Sequence, residues 1–356
     1  MKGYLVLEDG TVCDGVLFGF LEDRIGEVVF STGMTGYQES LTDPSYCGQI
    51  LVSSYPLIGN YGTNIQDNQS KTAQVWGYVV KEQSRFPSHR DCVQTIDEFL
   101  RASKVPGISG IDTRSLIRKL RDVGTMMGGI TAGDPAAMLE KVKKSRNPDQ
   151  TNLVASVSTD KAVRFDEKKS KTVAVFDCGV KESILVELRK RFNVIQLPFD
   201  AKPETVRGFE PDGIFITNGP GNPAHPEMLS TTVSTLAKLK EEYPMMGICL
   251  GNQLVSLMFG AKTYKLKFGH RGINQPVKFE GRVLITSQNH GFAVDRESAE
   301  DAELEVCFIN LNDLTVEGIR HKELPIFSVQ FHPEAHAGPC DSRFLFDRFK
   351  TMLEGD

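Results

Sequence analysis

Met246-Gly247-Ile248-Cys249-Leu250-Gly251-Asn252-Gln253-Leu254 is the stretch on which the reading of the fold turns. A cysteine with glycine two residues away on either side stands between an apolar, strand-like run and a helix-like run. The glycines let the backbone turn sharply from strand into helix, which projects the central side chain into a cleft and aims helix-start N–H groups at it. This is the pattern of a nucleophile elbow. Such surroundings favour a reactive thiol and supply part of an oxyanion hole. The plainer alternative is a buried structural cysteine at a strand end.

Downstream, Phe327-Ser328-Val329-Gln330-Phe331-His332-Pro333-Glu334-Ala335 runs as an alternating strand into a His-Pro-Glu terminus. An imidazole and a carboxylate stand two residues apart with a rigid proline between them, a base and its orienter. A cysteine amidase needs that imidazole to take the thiol proton and return it to the leaving amine. Cys249, His332 and Glu334 are therefore the expected catalytic set, in that chain order.

Outward from the elbow, apolar runs alternate with helical patterns. Thr172 to Cys178 (TVAVFDC), Val194 to Leu197, Gly213 to Thr217 and the elbow strand are separated by helices over about 181–192 and 226–242. This is βα alternation around a mostly parallel sheet, whose ligands bind beyond the carboxyl ends of the strands. The turn Asn218-Gly219-Pro220-Gly221-Asn222-Pro223 and the elbow both fall on that edge. Later runs at 283–287, 304–311, 315–321 and 326–331 have no helices between them and predict added, partly antiparallel strands, closed by a helix over about 341–353. The polar, charged stretch 156–171 reads as a linker. It divides a domain at 1–155, mixed α/β with strands at 4–7 and 28–31 and a helix at 112–122, from a domain at 172–356.

The 356 residues suffice for two cores, and 41 Lys and Arg against 46 Asp and Glu give a formal charge of −5. That balance offers no basic surface for nucleic acid. No apolar run is long enough for a signal peptide or a bilayer span, and seven scattered cysteines with no C-x-x-C pair read as reduced thiols. A cytoplasmic protein without a membrane partner is expected.

At the elbow and the His-Pro-Glu segment the chain resembles the class I, triad-type glutamine amidotransferases. The resemblance implies a mostly parallel, open mixed sheet flanked by helices for 172–356. It also implies that Cys249 attacks the side-chain amide of glutamine, His332 shuttles the proton and Glu334 orients His332. The first half narrows the family: GEVVFSTGMTGYQES at 26–40, LTDPSY at 41–46, YPLIGNYG at 55–62, GIDTR at 110–114 and, beyond the linker, KFGHRGIN at 267–274 closely resemble the small chain of carbamoyl phosphate synthetase.

Carried over residue by residue, that resemblance places glutamine among Ser45, Gly219, Gly221, Leu250, Gln253, Asn289, Gly291 and Phe292, with Ser45 coming from the first domain. It implies a heterodimer, or a higher oligomer, with a large chain that receives ammonia. That large chain would bind ATP and a divalent metal, Mg or Mn, and make carbamoyl phosphate for arginine and pyrimidine synthesis. This chain should hold no cofactor and no metal. It has no P-loop, since Ala261 stands where Ala261-Lys262-Thr263 would need glycine. Two residues depart from the family pattern: Asn252 stands where many members have His, and Phe331 where some have Gly.

Three other readings compete. The glutaminase of another synthetase, such as one forming anthranilate or GMP, would match only the second half. A metal protein built on His332, His336 and Cys340 is opposed by Pro333, which interrupts a regular helix through those residues. A non-catalytic scaffold is opposed by the intact triad.

Overall fold

The computed structural model describes residues 1–355 and divides into two compact units, Met1–Thr151 and Asn152–Asp356. The first is built on a closed barrel of seven strands. In hydrogen-bonded order these are Lys2–Leu7, Val12–Gly19, Pro106–Ser109, Gly77–Val79, Gln49–Ser53, Arg24–Ser31 and Met126–Thr131, which pairs back to the first. Closure removes the sheet edges that so many short strands would otherwise expose. Gly107 shows how tightly the barrel is packed, since a Cβ there would lie 2.6 Å from the Phe18 ring. Helix Thr113–Val123 begins where expected from the sequence, with Asp112 accepting from the Ser115 N–H as its N-cap. The barrel itself is not evident in the sequence pattern.

The second unit carries a ten-stranded sheet. Its parallel block runs in the order Asn193–Pro198, Thr172–Asp177, Gly213–Ile216, Met245–Ile248 and Ile326–Val329. Antiparallel strands Val316–His321, Arg282–Val294, Thr263–Phe279 and Leu304–Asn310 extend it on one side. The parallel strands are largely apolar because both faces are covered: Ala174, Ile214 and Met245 join one buried cluster and Val173, Phe215 and Met246 another. Helix Phe344–Glu354 closes the second cluster, with Phe349 edge-on to Phe192 at 5.6 Å.

The stretch 156–171 is not a free connector. Val163–Phe165 adds an antiparallel edge strand on Asn193–Pro198, and the Arg189 guanidinium lies 4.7 Å from the Phe165 ring centroid. Val154, upstream of it, is already buried in the second unit's core. Val163 and Phe165, the two apolar residues of that strand, are too few in a charged segment to register before the partner edge is known. The helix expected over 226–242 is interrupted: Pro226–Met228 is α-helical, Leu229–Val233 forms a π turn and Ser234–Leu239 is again α-helical.

Candidate active site

Cys249 sits between strand Met245–Ile248 and helix Leu250–Met258 with φ 56° and ψ −104°, a conformation that side-chain-bearing residues rarely adopt. The flanking glycines are needed for close approach. A Cβ on Gly247 would lie 2.6 Å from the Gly251 carbonyl oxygen, and one on Gly251 would lie 2.2 Å from that of Ile216. The main-chain N–H of Cys249 donates to the Val329 carbonyl at 2.8 Å, tying the elbow to the strand that delivers the base. The thiol donates to the Asn289 carbonyl at 3.5 Å.

His332 and Glu334 follow strand Ile326–Val329 and are wholly buried. His332 Nδ1 lies 2.7 Å from Glu334 Oε1, and the His332 N–H donates to the Ser287 carbonyl at 2.9 Å. His332 Nε2 is buried with no hydrogen-bond partner among the described residues, free to exchange a proton. Burial opposes charge on this imidazole, but the Glu334 carboxylate and the neighbouring Cys249 thiol outweigh it and hold its pKa above the ordinary value. Glu334 is the complement: burial resists its ionisation, and Lys181 with His332 keep it a carboxylate well below the usual range.

Lys181 is the member that the sequence did not reveal. Its Nζ donates to Glu334 Oε1 at 2.8 Å and to the carbonyls of Ala335 and His336 at 2.9 and 3.1 Å. It stands just ahead of helix Glu182–Arg189, where a lysine reads as an exposed helix-start residue, yet its side chain is only 5% exposed. Its one sequence signal was position, beyond the carboxyl end of the first parallel strand. The lysine adds a permanent positive charge beside a buried carboxylate whose other partner is His332.

The oxyanion side lies across the elbow. Leu250 is the first helical residue, so its N–H has no partner within the helix. Gly219 packs against it: a Cβ there would come within 2.0 Å of the Cys178 carbonyl oxygen and 2.8 Å of Leu250 Cδ2. Gly221, with φ 85°, turns the same loop. Gln253 donates through Nε2 to the Phe292 carbonyl at 2.9 Å and to Gln330 Oε1 at 3.0 Å. Asn289 and Phe292 thus enter through their carbonyls, on Cys249 and Gln253 respectively. Gly291 lies between them in the same strand, where an added Cβ would come within 3.3 Å of the Arg271 guanidinium. Ser45 belongs to the other unit, where it is buried in the short 3-10 turn Pro44–Tyr46 and its N–H donates to the Asp43 carboxylate.

Both departures from the family pattern have structural roles. Asn252 is fully buried, accepting from Ser328 Oγ at 2.8 Å and facing Gln330 Oε1 at 3.4 Å. Phe331 packs edge-on to Phe308 at 5.4 Å in the second core cluster.

The elbow, triad and parallel sheet define a class I glutamine amidotransferase site, and residues 174–352 match the family model described as glutamine amidotransferase class-I. Residues 5–130 match the model described as carbamoyl-phosphate synthase small chain, CPSase domain. The chain is 49% identical over 358 residues to the carbamoyl phosphate synthase small chain of Archaeoglobus fulgidus, with 99% of each covered. It is 47% identical to that of Methanopyrus kandleri, again with 99% of each covered. Identity is also 47% to the pyrimidine-specific small chain of Bacillus subtilis, over 99% of this chain and 96% of the relative. The chain belongs to the carbamoyl phosphate synthase small-chain family, the glutamine-hydrolysing partner of a ligase. No described helix is long and apolar enough to cross a membrane.

Proposed function

We propose that this chain hydrolyses glutamine through a thioester on Cys249 and passes the ammonia to a large synthetase chain. Sγ attacks the side-chain amide carbon as His332 Nε2 takes the thiol proton. The raised basicity of His332, set by Glu334, draws that proton, and the same proton then leaves with ammonia. The developing oxyanion would face the N–H groups of Leu250 and Gly219. Water, activated by His332, breaks the thioester and releases glutamate. Gln253 Oε1 suits the α-amino group of the substrate, since its Nε2 is already committed to Phe292 and Gln330.

The observation that carries this reading is the line His332, Glu334, Lys181 beside the Cys249 elbow, in which Glu334 holds His332 and Lys181 holds Glu334. The partner would be the large chain, binding ATP and Mg or Mn and combining ammonia with bicarbonate to make carbamoyl phosphate for the arginine and pyrimidine routes. The first unit would serve assembly, since it has no nucleophile–base–orienter set of its own among the residues singled out from its motifs. Cys249→Ser in the assembled complex should abolish glutamine-dependent synthesis and leave ammonia-dependent synthesis intact. Equal loss of both activities would make the cysteine structural and end the proposal.

A further inference from the structure

We propose that His270, His290 and Glu317 form a structural site for a divalent cation of the zinc class, within the antiparallel half of the second unit's sheet. All three are buried, and one donor atom from each lies within 4.8 Å of those of the other two. They come from three strands, Thr263–Phe279, Arg282–Val294 and Val316–His321, and His270 pairs directly with His290 across the ladder.

The surrounding bonds fix which nitrogens face inward. His270 Nε2 lies 2.7 Å from Asp313 Oδ2, and Asp313 is itself held by the N–H and hydroxyl of Thr315 at 3.2 and 2.8 Å. With its proton on Nε2, His270 turns a lone pair at Nδ1 toward Glu317 Oε1, 3.4 Å away. His290 Nδ1 lies 2.8 Å from the Phe292 carbonyl, which can only accept, so Nε2 is left as the lone-pair nitrogen. That nitrogen faces Gln288 Oε1 at 3.1 Å, another acceptor, because the Gln288 amide nitrogen donates to Thr286.

With His270 neutral, acceptors face acceptors at Nδ1, so the cluster draws positive charge, either as a second proton on His270, which Asp313 and Glu317 favour, or as a cation. His270 Nδ1 and Glu317 Oε2 are buried without a hydrogen-bond partner, while Glu317 Oε1 takes the Asn310 amide at 2.9 Å. A pair of imidazoles whose outer nitrogens are bonded to a carboxylate and a main-chain carbonyl, together with an inner carboxylate, is the arrangement by which proteins present ligands to zinc. The cation would occupy the place that a proton on Nδ1 must otherwise fill. Its effect would be to staple three strands behind Asn289, whose carbonyl receives the Cys249 thiol.

The test uses the full-length chain carrying Cys249→Ala, so that the catalytic thiol cannot bind the probe. Zn2+ is added, free metal is removed by gel filtration, and bound metal is measured by atomic emission. Co2+ in its place reports geometry through visible absorption. The expected result is about one zinc per chain, a higher melting temperature with zinc than with chelator, and cobalt bands of a four-coordinate site. Adding Glu317→Gln should remove stoichiometric binding, and adding Asp313→Asn should weaken it about 10- to 100-fold. Failure of the Cys249→Ala chain to retain zinc would overturn the site, as would affinity unchanged by Glu317→Gln. Should Glu317→Gln not fold, unchanged affinity in the Asp313→Asn chain would overturn it equally.

Discussion

Lys181 and His332 together hold the buried Glu334 as a carboxylate. Lys181→Met would leave Glu334 buried and short of its cation, a loss that typically costs about 3–5 kcal/mol. The sign with pH follows from Glu334, whose pKa falls from 4.5 to about 2 in the folded chain. Its contribution to stability is full above pH 4.5 and disappears as pH falls toward 2. Urea midpoints measured from about pH 5 down to about pH 2.5 should therefore drop more steeply for the native chain than for Lys181→Met, in which that advantage is already missing. Parallel curves would show that the pair does not stabilise the fold. His332→Asn should slow thioester formation on the order of 10² to 10⁴-fold, with little change in glutamine binding, as single-turnover kinetics would reveal. Lys181 escaped the sequence reading because its partner lies 153 residues away, and only the strand order brings the two together.

At the scale of the element, the elbow is a steric solution before it is a catalytic one. Gly251→Ala would force a methyl group to 2.2 Å from the Ile216 carbonyl oxygen, which belongs to a central strand and has little room to retreat. Overpacking of this kind costs about 1–3 kcal/mol, and here relief would have to come from the turn that holds Cys249. Gly260→Ala is the control, with φ 93° but open space around the new methyl group. Thermal melts should place Gly251→Ala below Gly260→Ala, and only the former should lose glutaminase activity; a fully active Gly251→Ala chain would show that the elbow tolerates displacement. Such local constraints leave strong marks in sequence, which is why the elbow, the Gly219 turn and the apolar parallel strands were readable. The barrel was not, because its closing pair joins residues 2–7 to residues 126–131 and its strands are too short for a clear alternation. The same distance hides the His270, His290 and Glu317 cluster, whose members have no motif spacing.

For the whole molecule, the boundary between units has a practical meaning. A fragment starting at Thr172 would look complete by composition, yet it would lack Val163–Phe165 and the buried Val154. Strand Asn193–Pro198 would then become a bare edge, a template for pairing with another chain. A fragment starting at Asn152 should give a monodisperse peak on gel filtration and melt cooperatively, whereas one starting at Thr172 should aggregate or melt earlier. Equal behaviour of the two fragments would show that the edge strand adds nothing.

The position of Ile326–Val329, inserted between the elbow strand and Val316–His321, sets an order of events during synthesis. The ribosome makes Cys249, the proposed nucleophile, before His332 and Glu334, because it precedes them in the chain. A nascent or truncated product ending before His332 has a thiol with no proton acceptor and an elbow missing the strand that anchors it at Val329. On the proposed mechanism, copies that end before His332 would be silent rather than leaky and would spare glutamine.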